Sequence, residues 1–378
     1  MEYRKIILIQ IDSILKYPPT VSLINELCER KKDVYVLTTD INEHLVKSLP
    51  VSVKMIKVGD EYKYSSSVVH KVIQLFKIRK ECWKCIDQLY DNDTVLWVMS
   101  NITIKHLGMK LINYRYNLHL FELLENIYYF GMLPFTKLDL AKLCRKANKV
   151  IVCEYNRAQI TKTWFKLNKL PLVISNKPAQ NDIIKYSPVI HDMKGREIIK
   201  LLENKKIILY QGIVDQERPI QVIADAVESL SDEYAFVVMT GSECQDLREY
   251  SKTYVIPFVT PPYHLEITSW AYIGILIYTP VYGSFSSPLN SIYCAPNKLY
   301  EYAQFGLPMI GNDIPGLKYT IEYHNMGICV EQLSSDEIRN AIISIEDTYK
   351  EKSVNSKSFF EDASNKKDIE RALISNGE

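Results

Sequence analysis

The chain has 378 residues, about two and a half times a ~150-residue domain, so two domains are expected. With 47% hydrophobic and 24% charged residues it falls in the globular range, which excludes wholesale disorder. A formal net charge of +1 conceals a division, 28 Lys+Arg against 17 Asp+Glu in residues 1–180 and 18 against 28 in residues 181–378, and a basic half joined to an acidic half points to two different partners.

The first residues are charged and then strand-like, with no small-residue cleavage site, and read as a strand over 5–9 rather than a signal peptide. A helix is expected over 20–30, with strands over 34–38 and 51–58. Residues 69–84 read as an amphipathic helix. Val69, Val72, Ile73, Phe76 and Trp83 share one face, and His70, Lys77, Lys80 and Lys84 share another. That pattern suits a helix docked on a sheet, and it equally suits one lying on an anionic membrane. Cys82 and Cys85 form a lone Cys-x-x-Cys with no second pair and are read as packing residues. Eight scattered cysteines in all fit a reducing compartment.

Residues 95–99 and 150–153 are further short strands. Between them, Tyr116-Asn-Leu-His119-Leu-Phe-Glu122 follows a strand-like region and sets a histidine and an acid three residues apart, a pair able to touch a substrate hydroxyl. A polar stretch at 175–187 reads as a connection. The strand rhythm then resumes at 207–210, 236–240, 254–259, 274–278, 308–310 and 327–330, and one last helix is expected over 358–374.

Strands alternating with helices imply parallel sheets covered on both faces. The expected fold is therefore α/β, two doubly wound, Rossmann-like domains facing a cleft. They span 1–180 and 181–350, and a tail at 351–378 has its helix packed back on the first domain. No apolar run approaches the ~18 residues of a membrane-spanning helix. Gly-x-Gly-x-x-Gly and Gly-x-x-x-x-Gly-Lys-[Ser/Thr] are both absent, which speaks against dehydrogenases and P-loop NTPases. No Asp-x-Asp is placed for Mg²⁺, so neither a metal nor another cofactor is expected. The basic residues belong to no recognisable nucleic-acid module, and nucleic acid is not an expected partner.

Residues 294–316 read CAPNKLYEYAQFGLPMIGNDIPG. Pro296 and Asn297 can start a helix that Gly306 stops. Lys298 falls in its first turn, where free backbone N–H groups and the helix dipole attract anions, and a lysine adds a point charge for a phosphate. Glu301 lies three residues on, where a carboxylate can take two hydrogen bonds from a ribose diol. A surface helix with a Lys–Glu pair fits the same residues.

Asn297-Lys298-Leu299-Tyr300-Glu301-Tyr302, followed by Phe305-Gly306-Leu307-Pro308-Met309-Ile310, resembles the Glu-x-x-x-x-Gly-x-Pro-Val-Ile stretch of GT-B glycosyltransferases of the family 4 (group 1) type. Tyr210-Gln211-Gly212 with Arg218-Pro219, and Val238-Met239-Thr240-Gly241, are similar to that family's donor-domain loops, and the resemblance covers about residues 205–330. It implies Arg218 and Lys298 on the donor diphosphate, Glu301 on the ribose and the backbone at Val259 on the base. Gly212 would let the chain approach the sugar and phosphate, and Thr240 and Asn297 would complete the donor-binding set. One departure stands out: Tyr293 occupies the place of the first acid in the family's Glu-x7-Glu motif.

The function implied is transfer of a sugar, with retention, from a nucleoside diphosphate (UDP) donor to a glycan, lipid-linked or protein-linked acceptor in cell-surface polysaccharide synthesis. His119 is the catalytic candidate on the acceptor side, with Glu122 beside it. The expected location is the cytoplasm or the inner face of the cell membrane. Two alternatives share the fold: a sugar-nucleotide epimerase, and a catalytically silent subunit that binds a partner transferase or a glycosylated protein.

Overall fold

The computed structural model describes residues 2–61, 67–130, 134–282 and 287–375. The chain forms two compact units, Met1–Ala179 with Asn365–Glu378, and Gln180–Ser364.

The first unit is built on β1 (Lys5–Gln10), β2 (Asp33–Thr38), β3 (Lys54–Lys57), β4 (Thr94–Met99) and β5 (Tyr116–Leu120). After a small antiparallel ribbon of β6 (Ile127–Tyr128) and β7 (Lys137–Leu138), β8 (Lys149–Val152) and β9 (Leu172–Val173) complete it. The main sheet is parallel, in the order β3-β2-β1-β4-β5-β8-β9, with Ile6 opposite both Val34 and Val95. Every residue of β4 and β5 is buried. β4 is the near-continuous apolar run that a strand covered on both faces requires, while β5 buries Asn117 and His119 as well.

The second unit carries β10 (Lys206–Gln211), β11 (Tyr234–Thr240), β12 (Thr253–Pro257), β13 (Ile273–Leu276), β14 (Met309–Asn312) and β15 (Gly327–Val330). They form one parallel sheet in the order β12-β11-β10-β13-β14-β15. Alternate residues of β10 and β11 enter two separate cores. Ile207, Leu209, Val237 and Met239 face one, while Ile208, Tyr210, Phe236 and Val238 face the other. This is the two-residue period of a strand with helices on both sides. Gly274 has a packing reason: a Cβ there would meet the Tyr302 ring at 2.3 Å. The ring instead lies under β13, and its hydroxyl donates to the carbonyl oxygens of Leu209 and Ile275 at 3.3 and 3.4 Å. In each sheet the strand order reverses beside the first strand, between β1 and β4 and between β10 and β13. In open α/β sheets such reversal points are where ligands bind, at the carboxyl ends of the strands.

Four local expectations change. The strand expected over 51–58 is confined to Lys54–Lys57. Residues 116–120, read as following a strand, are the strand itself. The helix at Val68–Leu89 divides its faces differently from the sequence reading. Val69, Ile73 and Phe76 are exposed, and Leu75, Ile78, Cys82, Trp83 and Ile86 take the buried side. Finally, the helix expected over 358–374 is two helices, since Ser335–Asp362 stops and Lys366–Ala372 starts anew. Asn365 accounts for the break. Its amide oxygen accepts from the Ser175 N–H and its amide nitrogen donates to the Ser175 carbonyl oxygen, each at 2.9 Å. The last helix then joins the first unit, with the Tyr3 N–H on the Leu373 oxygen and the Asn117 amide on the Ala372 oxygen, each 2.9 Å.

Among the described residues, no helix is long and apolar enough to cross a membrane.

Candidate functional site

β10 runs straight into Gly212, whose φ of 127° is open to glycine and strained for other residues. The Gly212 N–H donates to the Met239 oxygen at 2.9 Å, which holds the turn against β11. A Cβ at Gly212 would lie 3.4 Å from the Lys298 ammonium nitrogen, so the bare backbone and the lysine end meet at this point.

Lys298 is the second residue of the helix Asn297–Gln304, whose N-cap, Pro296, supplies no side-chain cap. The lysine is only 9% exposed. Its ammonium sits 4.4 Å from the centre of the Tyr210 ring and 5.2 Å from that of Tyr278. No carboxylate or carbonyl among the described residues pairs with it. Burial, and then the neighbouring Arg218 charge, bring its pKa down to about 7. A buried cation resting on aromatic faces, beside helix N–H groups, is a site short of an anion.

Glu301 is one turn further along and 5% exposed. One carboxylate oxygen accepts from the Gln211 amide at 2.5 Å, and the other is 3.4 Å from Nε2 of His264. Gln211 is fixed in turn by the Thr268 hydroxyl, which donates to its amide oxygen at 2.7 Å. Arg218 is close by, and its guanidinium is clamped by Asp215 and Glu217, each at 2.8 Å, 5.0 Å from the Tyr278 ring centre. Glu217 also accepts from the Ser291 hydroxyl. Thr240 ends β11 with its hydroxyl oxygen accepting the Ser242 N–H at 3.0 Å, Val259 is buried after β12, and Asn297 opens the lysine's helix. Thus Gly212, Arg218, Lys298 and Glu301 come together around the carboxyl end of β10.

Sequence reasoning missed Gln211, Thr268 and His264, which orient Glu301. Gln211 was readable as the residue before Gly212, whereas His264 and Thr268 come from a five-residue helix with no motif.

The two acceptor-side candidates lie in different surroundings. His119 is on β5 and 1% exposed. Its Nδ1 accepts from the Trp97 indole N–H at 3.4 Å, its Nε2 is buried with no partner among the described residues, and burial lowers its pKa to about 3. It is a neutral ring with one N–H to give. Glu122 is exposed beyond the strand end. Three residues make a shared face on a helix, and residues 116–120 are extended, so the spacing does not set the two side by side.

The reversal point of the first sheet holds residues that no motif announced. Asp12 after β1 has φ 98° and Ser100 after β4 has φ 69°, both rare for residues with a Cβ. Asp12 is held by its N–H on the Thr39 hydroxyl oxygen at 3.1 Å and by Lys16 at 3.1 Å, and the Ile11 N–H reaches the Thr103 hydroxyl oxygen at 2.9 Å. Such strain concentrates at ligand-binding turns. Among the described residues no group of three or more His, Cys, Asp or Glu side chains is arranged to hold a metal ion.

No protein-family model matches the chain, and no curated protein matches it. Solved structures do. A glycosyltransferase from Rickettsia africae superposes with a TM-score of 0.66 at 13% identity, covering 98% of this chain and 97% of its own. Anabaena HepE, solved with UDP and glucose, gives 0.64 at 12% identity over 98% and 97%. The fold is GT-B. A Listeria monocytogenes protein assigned as a UDP-N-acetylglucosamine 2-epimerase shares it, with a TM-score of 0.60 at 13% identity over 98% and 94% of the two chains. Identities this low describe architecture, and chemistry has to be argued from the residues.

Proposed function

We propose that the chain is a glycosyltransferase that takes a sugar from a UDP-linked donor, of the family 4 type. The observation that carries this reading is Lys298, a buried cation with no ion-pair partner among the described residues, at the reversal point of the second sheet. In the proposed complex the donor diphosphate meets Lys298, the helix N–H groups and the Gly212 turn. Glu301, already oriented by Gln211, takes the ribose hydroxyls, the backbone at Val259 lies along the base, and Thr240 and Asn297 line the site. Arg218 adds positive charge tempered by its two carboxylates.

As the bond from the anomeric carbon to the diphosphate breaks, the electron pair moves onto the diphosphate oxygens. Fixed positive charge at that point lowers the barrier without a covalent nucleophile. The acceptor oxygen bonds to the anomeric carbon on the face the diphosphate leaves, and its proton departs with the diphosphate. Where the family places an acid, Tyr293 contributes a phenol, so contacts to the transferred sugar differ from the family pattern. No metal or other cofactor enters this scheme. The first unit is proposed to carry the acceptor, a glycan or a lipid-linked sugar in surface polysaccharide synthesis. Glu122 and the strained turn at Asp12 would supply contacts there, whereas His119, with its Nε2 buried, would support that strand end from within the sheet.

Val69, Ile73 and Phe76 are exposed on the same helix as Lys77, Lys80 and Lys84. This favours a cytoplasmic protein that touches the inner face of the membrane. Replacing the three lysines with glutamate is expected to abolish flotation with anionic liposomes and leave UDP binding unchanged; equal flotation with neutral liposomes would contradict the electrostatic part.

The donor reading is tested with a thermal-shift panel of nucleotide sugars, followed by hydrolysis of any stabilising donor without acceptor. Stabilisation by UDP-sugars and slow release of UDP are expected. The epimerase alternative, which the Listeria neighbour keeps in view, predicts interconversion of sugar epimers on UDP, and a silent subunit predicts binding with no turnover.

A further inference from the structure

At the end of the second sheet opposite Gly212, where β10 starts and β13 is about to, the surface opens into a recess of about 470 Å³. Tyr186, Trp270 and Tyr272 wall it, with Glu203 and Asn204 among its other lining residues. Its volume lies within the ~300–1,000 Å³ of small-molecule pockets.

The rings are fixed in place. Tyr272 lies flat on Tyr349, with centres 4.2 Å apart and planes within 1°. Trp270 donates its indole N–H to the Ser187 oxygen at 2.9 Å and meets Tyr186 edge-on at 5.5 Å. Tyr186 has φ 58°, a left-handed conformation that a bulky residue adopts only when its neighbours enforce it. Here its own N–H reaches the Ser269 oxygen at 3.2 Å, and the Ser187 N–H reaches the Ser269 hydroxyl oxygen at 3.0 Å. The ring so positioned is 55% exposed.

The cations around these rings are already engaged. Lys206 pairs with Glu233 and Glu346, and Lys205 donates to the Asp232 carbonyl oxygen. Lys185 donates to the Ala271 oxygen at 2.6 Å, and burial brings its pKa down to about 7. Glu203 and Asn204, in contrast, have no hydrogen-bond partner among the described residues. An anionic ligand would meet Glu203 in the lining and the two carboxylates already held on Lys206. A cationic one would compete with Lys185 and Lys206, which lie 5.0 and 5.8 Å from the Tyr186 and Tyr272 ring centres. What remains is a ligand with an apolar face for the rings and a hydroxylated edge for a carboxylate and an amide. A pyranose has both, because its axial C–H bonds form a flat apolar face while its equatorial hydroxyls point outward.

We propose that this recess binds a hexopyranose unit of a neutral glycan, at a site separate from the one containing Lys298. The proposal does not rest on the UDP-sugar reading.

The test is capture on an array of neutral hexose and N-acetylhexosamine oligosaccharides, with titration of the captured ones against the full chain by tryptophan fluorescence. Capture is expected, and it should survive Lys298→Ala. Tyr186→Ala and Asn204→Ala should each weaken it by about tenfold, the loss of one good contact. Circular dichroism of both variants identifies a folding defect, and Asn204→Ala, at an exposed position, keeps the test valid if Tyr186→Ala unfolds. No capture of any array glycan, capture unchanged in Asn204→Ala and folded Tyr186→Ala, or loss of capture in Lys298→Ala would each overturn the proposal.

Discussion

The two units solve the same problem with opposite means. Both sheets reverse order beside their first strand, so both have a crevice at the carboxyl ends of β1 and β10. In the second unit the turn after β10 is Gly212, and the side chain brought against it is a buried lysine. In the first unit the matching turn is Asp12, a carboxylate, with strained Ser100 after the neighbouring strand. The local charges also run against the global ones. The first unit carries net +11 and places an acid at its crevice, whereas the second carries −10 and places a cation there. Net charge describes long-range attraction and solubility. What a crevice binds is decided by the one or two groups that burial has removed from water.

The sharpest way to break this comparison is to remove the cation. Lys298→Ala is expected to lower kcat on the order of 10²–10³-fold, as loss of one charge-stabilising donor does elsewhere. Because burial disfavours that ammonium and no carboxylate among the described residues pairs with it, Lys298→Met should also melt at a higher temperature than wild type below pH 7. Greater stability together with lost turnover separates a binding role from a structural one, and a fall in both would assign Lys298 to the core.

Glu301→Ala should act on binding. Loss of a charge-assisted contact is worth about 1.5–3 kcal/mol, so the UDP dissociation constant should rise roughly 10–100-fold by calorimetry, with KM moving in parallel. Glu322→Ala, whose carboxylate accepts the Cys329 N–H at 3.2 Å away from this site, should change neither. A smaller pair of effects compares the two turns directly. Gly212→Ala should cost about 1–2 kcal/mol of stability and weaken UDP binding, because its φ is unfavourable and its methyl group approaches Lys298. Ser100→Gly should remain within about 0.5 kcal/mol of wild type or exceed it, since glycine relieves the left-handed strain. Equal responses at the two positions would remove the distinction.

Much of the second unit was legible in the sequence because its signals are local. Strand-length apolar runs announced β10, β11, β13 and β14, and Pro296, Lys298 and Glu301 lie within six consecutive residues. The missing parts depend on tertiary packing. Val69, Ile73 and Phe76 have the same helical spacing as a buried face, and only the competing stripe of Leu75, Ile78, Cys82 and Ile86 decides which side is covered. A run such as Tyr116-Asn-Leu-His119-Leu is a strand with polar residues buried inside it, and periodicity does not separate that from a loop with functional groups. Asp12 was invisible because even aspartate, which enters positive φ more often than most residues, does so in only a small fraction of cases. The partners of Glu301 were out of reach for a further reason: Gln211 and His264 are 90 and 37 residues away in sequence.

The most direct test of Lys298 as the cation for the diphosphate is the pH dependence of UDP affinity, measured by calorimetry in buffers of different ionisation enthalpy. The free lysine titrates at about 7, and an anion bound against it moves its pKa back up. Binding above pH 7 must therefore take up a proton, and affinity must fall as pH rises. Between pH 7.5 and 9, clear of the phosphate's own titration near about 6, wild-type affinity should weaken by roughly tenfold per pH unit with uptake approaching one proton. Lys298→Met should bind weakly and show no such slope. A wild-type affinity that stays flat from pH 7.5 to 9, or a slope that persists in Lys298→Met, would contradict the assignment.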